Sequence, residues 1–379
     1  MEDSNKHNNQ EGKTDMDNYD FQDDFNRKFK AEQQKLNHKP NVLMAGYTGC
    51  GKTSLALAIL GDIVSDDKIG NGAPKTMGYD KYENEHICLW DSKGLELGET
   101  EEAFTDETRE FVRQRQDDTN VDNHIHLVWY VIQGSGARVT DCDINLIKRI
   151  FNPENVIVVI SKADITRPNQ LEALRTKIIE AGIPAERIIA ASDEEAGAEG
   201  CKELMELSYR ILPAAYKDAF MEAQSIDMEA KIMAVYDKAL KAKGIVTTAA
   251  VTAGGIGATP IPIADAALLI PVQIGMIAAL AALYGLKEEA IKHSALPFVG
   301  KVAGMFAVTS ILKFIPGLGS AVSATVATVL TGAMGLYTSN SFEAMAIAKI
   351  KGEPIPEMPF DINKFNEFYK TYKQGINKE

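Results

Sequence analysis

From residue 41 onward, short apolar runs alternate with stretches of helical period. The runs VLMAG (42–46), HICLWD (86–91), HIHLVWYVI (124–132), VIVVIS (156–161) and RIIAAS (187–192) are almost continuously apolar. Between them, helix-like periodicity falls near 52–60, 103–115, 140–151, 169–181 and 197–211. Unbroken apolar strands alternating with helices predict a mostly parallel sheet with helices on both faces. Residues 213–243 read as one long helix. Upstream, Phe21, Phe25 and Phe29 recur every four residues and give a helix one apolar stripe. Such a helix packs on the domain that follows or serves as a partner-binding arm. Residues 1–20 are polar and Asn/Asp-rich, a composition expected to be disordered.

At Gly244 the pattern changes. Asp265 is the sole charge from 244 to 286, and 314–342 carries none. IPIADAALLIPVQIGMIAALAALY (261–284) weakly resembles IPGLGSAVSATVATVLTGAMGLY (315–337), each opening at a proline turn. This repeat predicts two helical hairpins in tandem. The expected organisation is an N-terminal arm (1–38), an α/β domain (39–212), a connecting helix (213–243), an all-α hydrophobic helical-hairpin domain (244–342) and a tail (343–379).

Residues 266–284 average roughly 2 on a conventional hydropathy scale, within the range of a spanning helix. Nineteen uncharged residues at 1.5 Å each come to about one bilayer crossing. Lys287, Lys292, Lys301 and Lys313 flank the apolar runs and suit anionic headgroups. The competing expectation is a soluble bundle of two hairpins that hide each other's apolar faces. Asp265, following Pro262, suits a helix N-cap in either case.

Charge narrows the partners. The 379-residue chain has a net charge of −13, most of it within 39–243, and such a surface repels phosphate backbones, so nucleic acid is discounted. Cys50, Cys88, Cys142 and Cys201 form no CxxC pair, and the N-terminus is polar throughout. A reducing, cytoplasmic setting is expected, with the inner face of a membrane as a possible docking surface.

Against this background GYTGCGKT (46–53) fits G-x-x-x-x-G-K-[ST], between a strand and a helix. Glycines let the backbone wrap phosphate oxygens, and the helix N-terminus adds its dipole. Gly46, Thr48, Gly49, Cys50, Gly51, Lys52, Thr53 and Ser54 are the expected phosphate-binding residues. Lys52 reaches the β- and γ-phosphates, and Thr53 ligates Mg²⁺. Cys50 is either a passive small residue or a redox switch.

The motifs that follow separate guanine from adenine. DSKG (91–94) ends a strand and fits D-x-x-G, with Asp91 holding Mg²⁺ through water and the Gly94 amide sensing the γ-phosphate. SKAD (161–164) ends the strand VIVVI and fits [NTS]-K-x-D. The Asp164 carboxylate can accept two hydrogen bonds from guanine N1–H and N2, a pair that adenine lacks. Lys162 covers the base plane, and Ser161 stands where Asn is commoner. AAS (190–192) fits the last base-binding element through Ala191 and Ser192. Thr76, in a Gly/Pro-bearing loop, is the candidate switch threonine and second metal ligand. Leu95 stands where many small GTPases place a water-orienting Gln, so slow intrinsic hydrolysis of GTP to GDP is expected. Arg138 is a further source of positive charge or a surface arginine.

Through these motifs the sequence resembles the Era-like branch of the bacterial TRAFAC GTPases. WDSKGLELGE (90–99), HLVWYVIQGSGARVTDCD (126–143) and ILPAAYKDAFMEAQSIDMEAK (211–231) resemble a subgroup with a C-terminal hydrophobic domain of unknown function. That domain is similar to part of the YcjF family through the P-x-x-D at Pro262 and Asp265. Lys93 and Ser161 depart from the pattern, where Pro and Asn are usual. The resemblance implies a GTP/GDP-binding, Mg²⁺-using P-loop GTPase acting as a nucleotide-dependent switch on a protein effector, with membrane lipid as a second partner. Two alternatives are a soluble assembly factor and a GTP-binding scaffold with negligible hydrolysis.

Overall fold

The computed structural model describes residues 20–36, 38–61, 78–92, 100–136, 138–192, 198–258, 264–287, 291, 324–358 and 361–376. The chain divides into two compact units, one spanning Asn37–Ala234 and the other combining Met1–Leu36 with Val235–Glu379.

The Asn37–Ala234 unit is a six-stranded sheet in the order β2-β3-β1-β4-β5-β6. Its strands are β1 (Asn41–Ala45), β2 (Tyr79–Glu83), β3 (Cys88–Ser92), β4 (Leu127–Gln133), β5 (Val156–Ser161) and β6 (Ile188–Ala190). All pair in parallel except β2, which runs antiparallel to β3 at the edge. Successive side chains of a strand point to opposite faces. Val42 and Met44 accordingly join one core, with residues of α2 (Lys52–Leu60), α6 (Ala198–Ile211) and α7 (Ala214–Ala223). Leu43 and Ala45 join the other, with α3 (Glu101–Gln116), α4 (Asp141–Asn145) and α5 (Pro168–Glu180). The two cores are why the central strands read as unbroken apolar runs. α4 passes directly into a π-helical turn, Leu146–Ile150.

β2 has no counterpart among the five expected strands. Only Tyr79 and Tyr82 of its sequence YDKYE are buried, as suits a half-exposed antiparallel edge whose charges blunt further pairing. The expected helix over 213–243 is two helices, α7 and α8 (Met228–Gly257). Gln224 causes the break: its Oε1 accepts from the backbone N–H of Ile226 and Asp227, and its Nε2 donates to the Asp227 carbonyl. Asp227 Oδ1 then accepts from Ala230 N in the first turn of α8. α8 also runs straight through Gly244, where composition had suggested a boundary.

The other unit is helical. α1 (Phe21–Leu36) packs along α9 (Ala264–Leu283), which also meets α10 (Ala324–Lys351), and α11 (Ile362–Ile376) packs on α10. α1 therefore belongs with the C-terminal helices and not with the α/β unit that follows it in sequence. Phe25 and Phe29 are fully buried, and their rings stack at 5.7 Å. Lys28 donates to the carbonyl of Pro271 at 2.6 Å and pairs with the buried Asp24. Tail residues Met345, Phe365 and Tyr369 belong to the same core, so 343–379 is no separate tail.

Among the described residues no helix is long and apolar enough to cross a membrane. From Leu269 on, α9 is largely covered by protein: Ile270, Ile274 and Ile277 are buried, and Gln273 hydrogen-bonds Thr331 of α10 inside the core. Among the described residues it packs on α1 and α10, and its Leu269 shares a small core with Ala253 of α8. Most of the second expected hairpin, residues 301–323, lies outside the described residues, as do 1–19.

At the N-terminal ends of β1 and β4 the α/β unit closes on a polar cluster. Asn41 N–H donates to His126 Nδ1, so the ring carries its proton on Nε2 and donates to the Val121 carbonyl. Tyr216 of α7 stacks against that ring and donates to Asp122, and Trp90 donates to Asn41 Oδ1. Burial lowers the His126 pKa to about 4. Unfolded histidine protonates near 6.5, so between about 6.5 and 4 the unfolded chain binds more protons and stability falls as pH falls. The expected loss across that window is roughly 2–3 kcal/mol. Both tryptophans, Trp90 and Trp129, lie in this unit, so their fluorescence during urea unfolding at a series of pH values measures it. His126→Gln should flatten the slope; equal slopes in both proteins would reject the assignment.

Candidate nucleotide-binding site

β1 ends at Ala45, and the chain turns through 46–51 into α2. Gly46 has φ 139°, and a Cβ there would sit 2.2 Å from the Val131 carbonyl of β4, so only glycine fits. Gly49 (φ 76°) and Gly51 (φ 94°) are also left-handed. No side chain caps the start of α2, which leaves its first N–H groups available to an anion. Thr48, Gly49, Thr53 and Ser54 are exposed along the rim.

Lys52 is buried and folds back over the loop. Its Nζ donates to the carbonyls of Gly46 at 3.1 Å and Tyr47 at 3.2 Å, using two of its three N–H groups. An ammonium beside unpaired amides makes a cradle for phosphate.

Thr53 Oγ1 donates to Asp91 Oδ2 at 2.7 Å. Asp91, next to last in β3, is buried, and its Oδ1 has no partner. Burial pushes its carboxyl up, against the Thr53 hydrogen bond and the nearby Lys52 charge. A buried carboxylate oxygen without a partner is costly, and a divalent cation would satisfy it while the Thr53 hydroxyl offers a free lone pair. Among the described residues no three His, Cys, Asp or Glu side chains gather to hold a metal. A cation here would need outside oxygens, as phosphate or water supplies. The pair fits Mg²⁺ on those terms.

The SKAD element interlocks with this loop. Ser161 Oγ donates to the Cys50 carbonyl at 2.5 Å and lies 3.3 Å from the Ile132 carbonyl. Lys162 adopts φ 54°, the one left-handed non-glycine residue among those described, and its Nζ donates to the Gly49 carbonyl at 3.0 Å. Its stem thus lies against the phosphate loop. Asp164 is exposed beyond it. Ala163 N–H donates to the Ala191 carbonyl at 3.3 Å, joining the last element to this one. Ser192 is buried with its Oγ unpartnered. Cys50 is buried, and burial raises its thiol pKa, which suits a passive packing residue better than a redox switch.

Thr76, Gly94 and Leu95 lie outside the described residues, and Arg138 is exposed. Tyr47 was not singled out from sequence. Its hydroxyl donates to Glu101 of α3 and shares a hydrogen bond with Thr140, each at 3.0 Å. Thr140 caps α4 in a capping box with Asp143, which accepts from Tyr130. T-x-x-D at 140–143 is a legible cap, but nothing in sequence ties it to Tyr47.

Residues 80–215 match the family model Septin. The matched span lies within the α/β unit, from β2 to the start of α7. A curated relative, Sporulation-regulated protein 3 of Saccharomyces cerevisiae, is 24% identical over 169 residues, 39% of this chain. The chain spans about a third of that relative's length, 33%. Among solved structures, a probable GTP-binding protein engB is 18% identical with TM-score 0.33, the match covering 45% of this chain and 97% of that one. Toc33 from Arabidopsis thaliana, in complex with GDP and Mg²⁺, is 16% identical with TM-score 0.33, covering 55% and 96%.

Removing the Ser161 hydroxyl should loosen the 46–51 loop, whose Cys50 carbonyl it holds. At about 1 kcal/mol for a buried hydrogen bond, Ser161→Ala should weaken GDP binding roughly five-fold, read by titration of a fluorescent GDP analogue. Unchanged affinity would show that Cys50 is held by other contacts.

Proposed function

We propose that the chain binds GTP and GDP at this site, hydrolyses GTP slowly, and acts as a nucleotide-dependent switch on a protein effector. The observation that carries the reading is the interlock of the phosphate loop with the SKAD element. Ser161 and Lys162 both bond loop carbonyls, so Asp164 is held at a fixed offset from the phosphate cradle. A carboxylate so placed reads guanine, because N1–H and N2 give it two donors and adenine leaves it unsatisfied.

Gly46, Thr48, Gly49, Cys50, Gly51, Ser54 and the first turn of α2 wrap the phosphates, and Lys52 exchanges its loop carbonyls for β- and γ-phosphate oxygens. Thr53 and Asp91 would hold Mg²⁺, which would supply positive charge beside the phosphates. Ala191 and Ser192 line the base, where the buried Ser192 hydroxyl lacks a partner. Thr76 and Gly94 answer the γ-phosphate. With leucine at position 95 nothing at that place polarises water, which favours slow hydrolysis over rapid turnover.

Tyr47 supports the switch in particular. It sits in the loop that phosphate would fill and is bonded to α3 and to the cap of α4, so displacement of the loop carries to both helices. We place the protein in the cytoplasm. Protein covers α9, so lipid is not needed to hide it, and membrane docking is the weaker alternative. The Era-like resemblance fits this reading equally well.

Asp164→Asn should lower GTP affinity by at least about tenfold and raise affinity for xanthosine triphosphate, whose 2-oxo group complements the amide. Competition binding with GTP, XTP and ATP measures this. Lys52→Ala should abolish nucleotide binding in the same assay. Equal wild-type affinity for ATP and GTP would overturn the guanine reading, and intact binding in Lys52→Ala would overturn the phosphate cradle.

A further inference from the structure

α8 is an uninterrupted helix of 30 residues, and its two sides differ in an unusual way. The inward side is mostly small: Ala242, Val246, Ala249, Ala250 and Ala253 are buried, with Val235 and Lys238 before them. The opposite side carries the larger apolar groups, although it faces solvent. Leu240 is 80% exposed, Val251 65%, Met233 59% and Tyr236 46%. At 100° per residue these four fall within one narrow stripe. Single exposed apolar residues are ordinary on a protein surface, but an aligned series on one helix marks an interaction face.

The spacing sharpens the reading. Glu229, Met233, Tyr236, Leu240, Lys243 and Thr247 follow in alternating steps of four and three residues, the rhythm of a seam between two helices. The apolar part is bracketed by one acid, Glu229, and one base, Lys243, both exposed. We propose that two copies of the chain associate through this face of α8, helix against helix and antiparallel.

The bracketing charges choose both occupant and direction. A parallel pair in register sets Glu229 against Glu229 and Lys243 against Lys243, which repels at both ends. An antiparallel pair turns about a two-fold axis between Tyr236 and Leu240. Tyr236 of each copy then meets Leu240 of the other, Met233 meets the aliphatic stem of Lys243, and Glu229 of each comes within reach of the other's Lys243. One patch thereby complements itself in apolar shape and in charge, as a two-fold interface requires. A flat anionic bilayer would favour basic residues at both ends of the stripe, and Glu229 counts against it.

The test uses the full chain. Sedimentation equilibrium from about 1 to about 100 µM, a span that brackets ordinary homodimer affinities, should find a dimer. Leu240→Lys lies on the exposed side and leaves the cores alone. It should weaken dimerisation at least about tenfold, since loss of one buried anchor per copy acts twice. Its tryptophan fluorescence and GDP binding should remain those of the wild type. Glu229→Lys and Lys243→Glu should each weaken the dimer at low salt, and the double variant should restore it. Three outcomes would overturn the proposal. They are a monomer across the range, a dimer unchanged by Leu240→Lys combined with Tyr236→Lys, and a monomer that cosediments with phosphatidylserine vesicles through Leu240. Failure of the charge-swapped double variant to recover would overturn the antiparallel arrangement.

Discussion

The nucleotide site rests on how closely the phosphate loop approaches β4. Gly46 lies where even a methyl group would collide with the Val131 carbonyl at 2.2 Å. This contact seats the start of the loop against the sheet, and the loop's remaining carbonyls then turn to where side chains can reach them. Lys52 takes those of Gly46 and Tyr47, Lys162 that of Gly49, and Ser161 that of Cys50. With these carbonyls bonded from behind, the uncapped first N–H groups of α2 are left to an anion. The loop's shape is thus fixed by backbone sterics first and by side chains second, and the SKAD element and the 46–51 loop form one piece.

The helical unit solves a different problem. α9 is apolar on all sides, and a helix of that kind must be buried all round. Cover comes from both ends of the sequence: Phe25 and Phe29 of α1 and the buried side of α10 share a core with it. Small residues permit close approach between the helices. Gly254 lies against Thr328, and Gly335 against Val246 and Met276, at distances where a Cβ would clash. Polar contacts here include Gln273 with Thr331 and Lys28 with the Pro271 carbonyl, while the buried Thr338 hydroxyl and Asn26 Oδ1 have no partner.

Much of the α/β unit was legible because burial on both faces writes an unbroken apolar run, and α2 follows directly from the glycine-lysine-threonine sequence. β2 was not legible, because an edge strand needs only Tyr79 and Tyr82 on its inner side and looks polar otherwise. Gln224 was hidden for another reason. Glutamine is a good helix former, and its role as a helix breaker appears only where its side chain turns back on Ile226 and Asp227. The long-range partners were the least legible. A phenylalanine stripe announces that α1 needs a partner, but four-residue periodicity says nothing about which one. The same holds for α9, whose hydropathy describes what it avoids, water, without choosing between lipid and protein.

That distinction governs Ser161 as well. Ser161 departs from the commoner Asn, yet its short hydroxyl reaches the Cys50 carbonyl from the end of β5 and ties the loop down. The shorter side chain spans this gap because β5 and the phosphate loop are close: a Cβ on Gly51 would lie 3.8 Å from Ser161. A residue that departs from a pattern can keep the pattern's mechanical part when the backbone brings its partner nearer. The strength of the guanine assignment therefore depends on the geometry between β5 and the loop more than on the identity of the residue at 161. The Lys162 stem approaches the same position, 3.7 Å from where a Cβ would stand, so space alone would admit a small side chain at 51 and it is the φ of 94° that favours glycine.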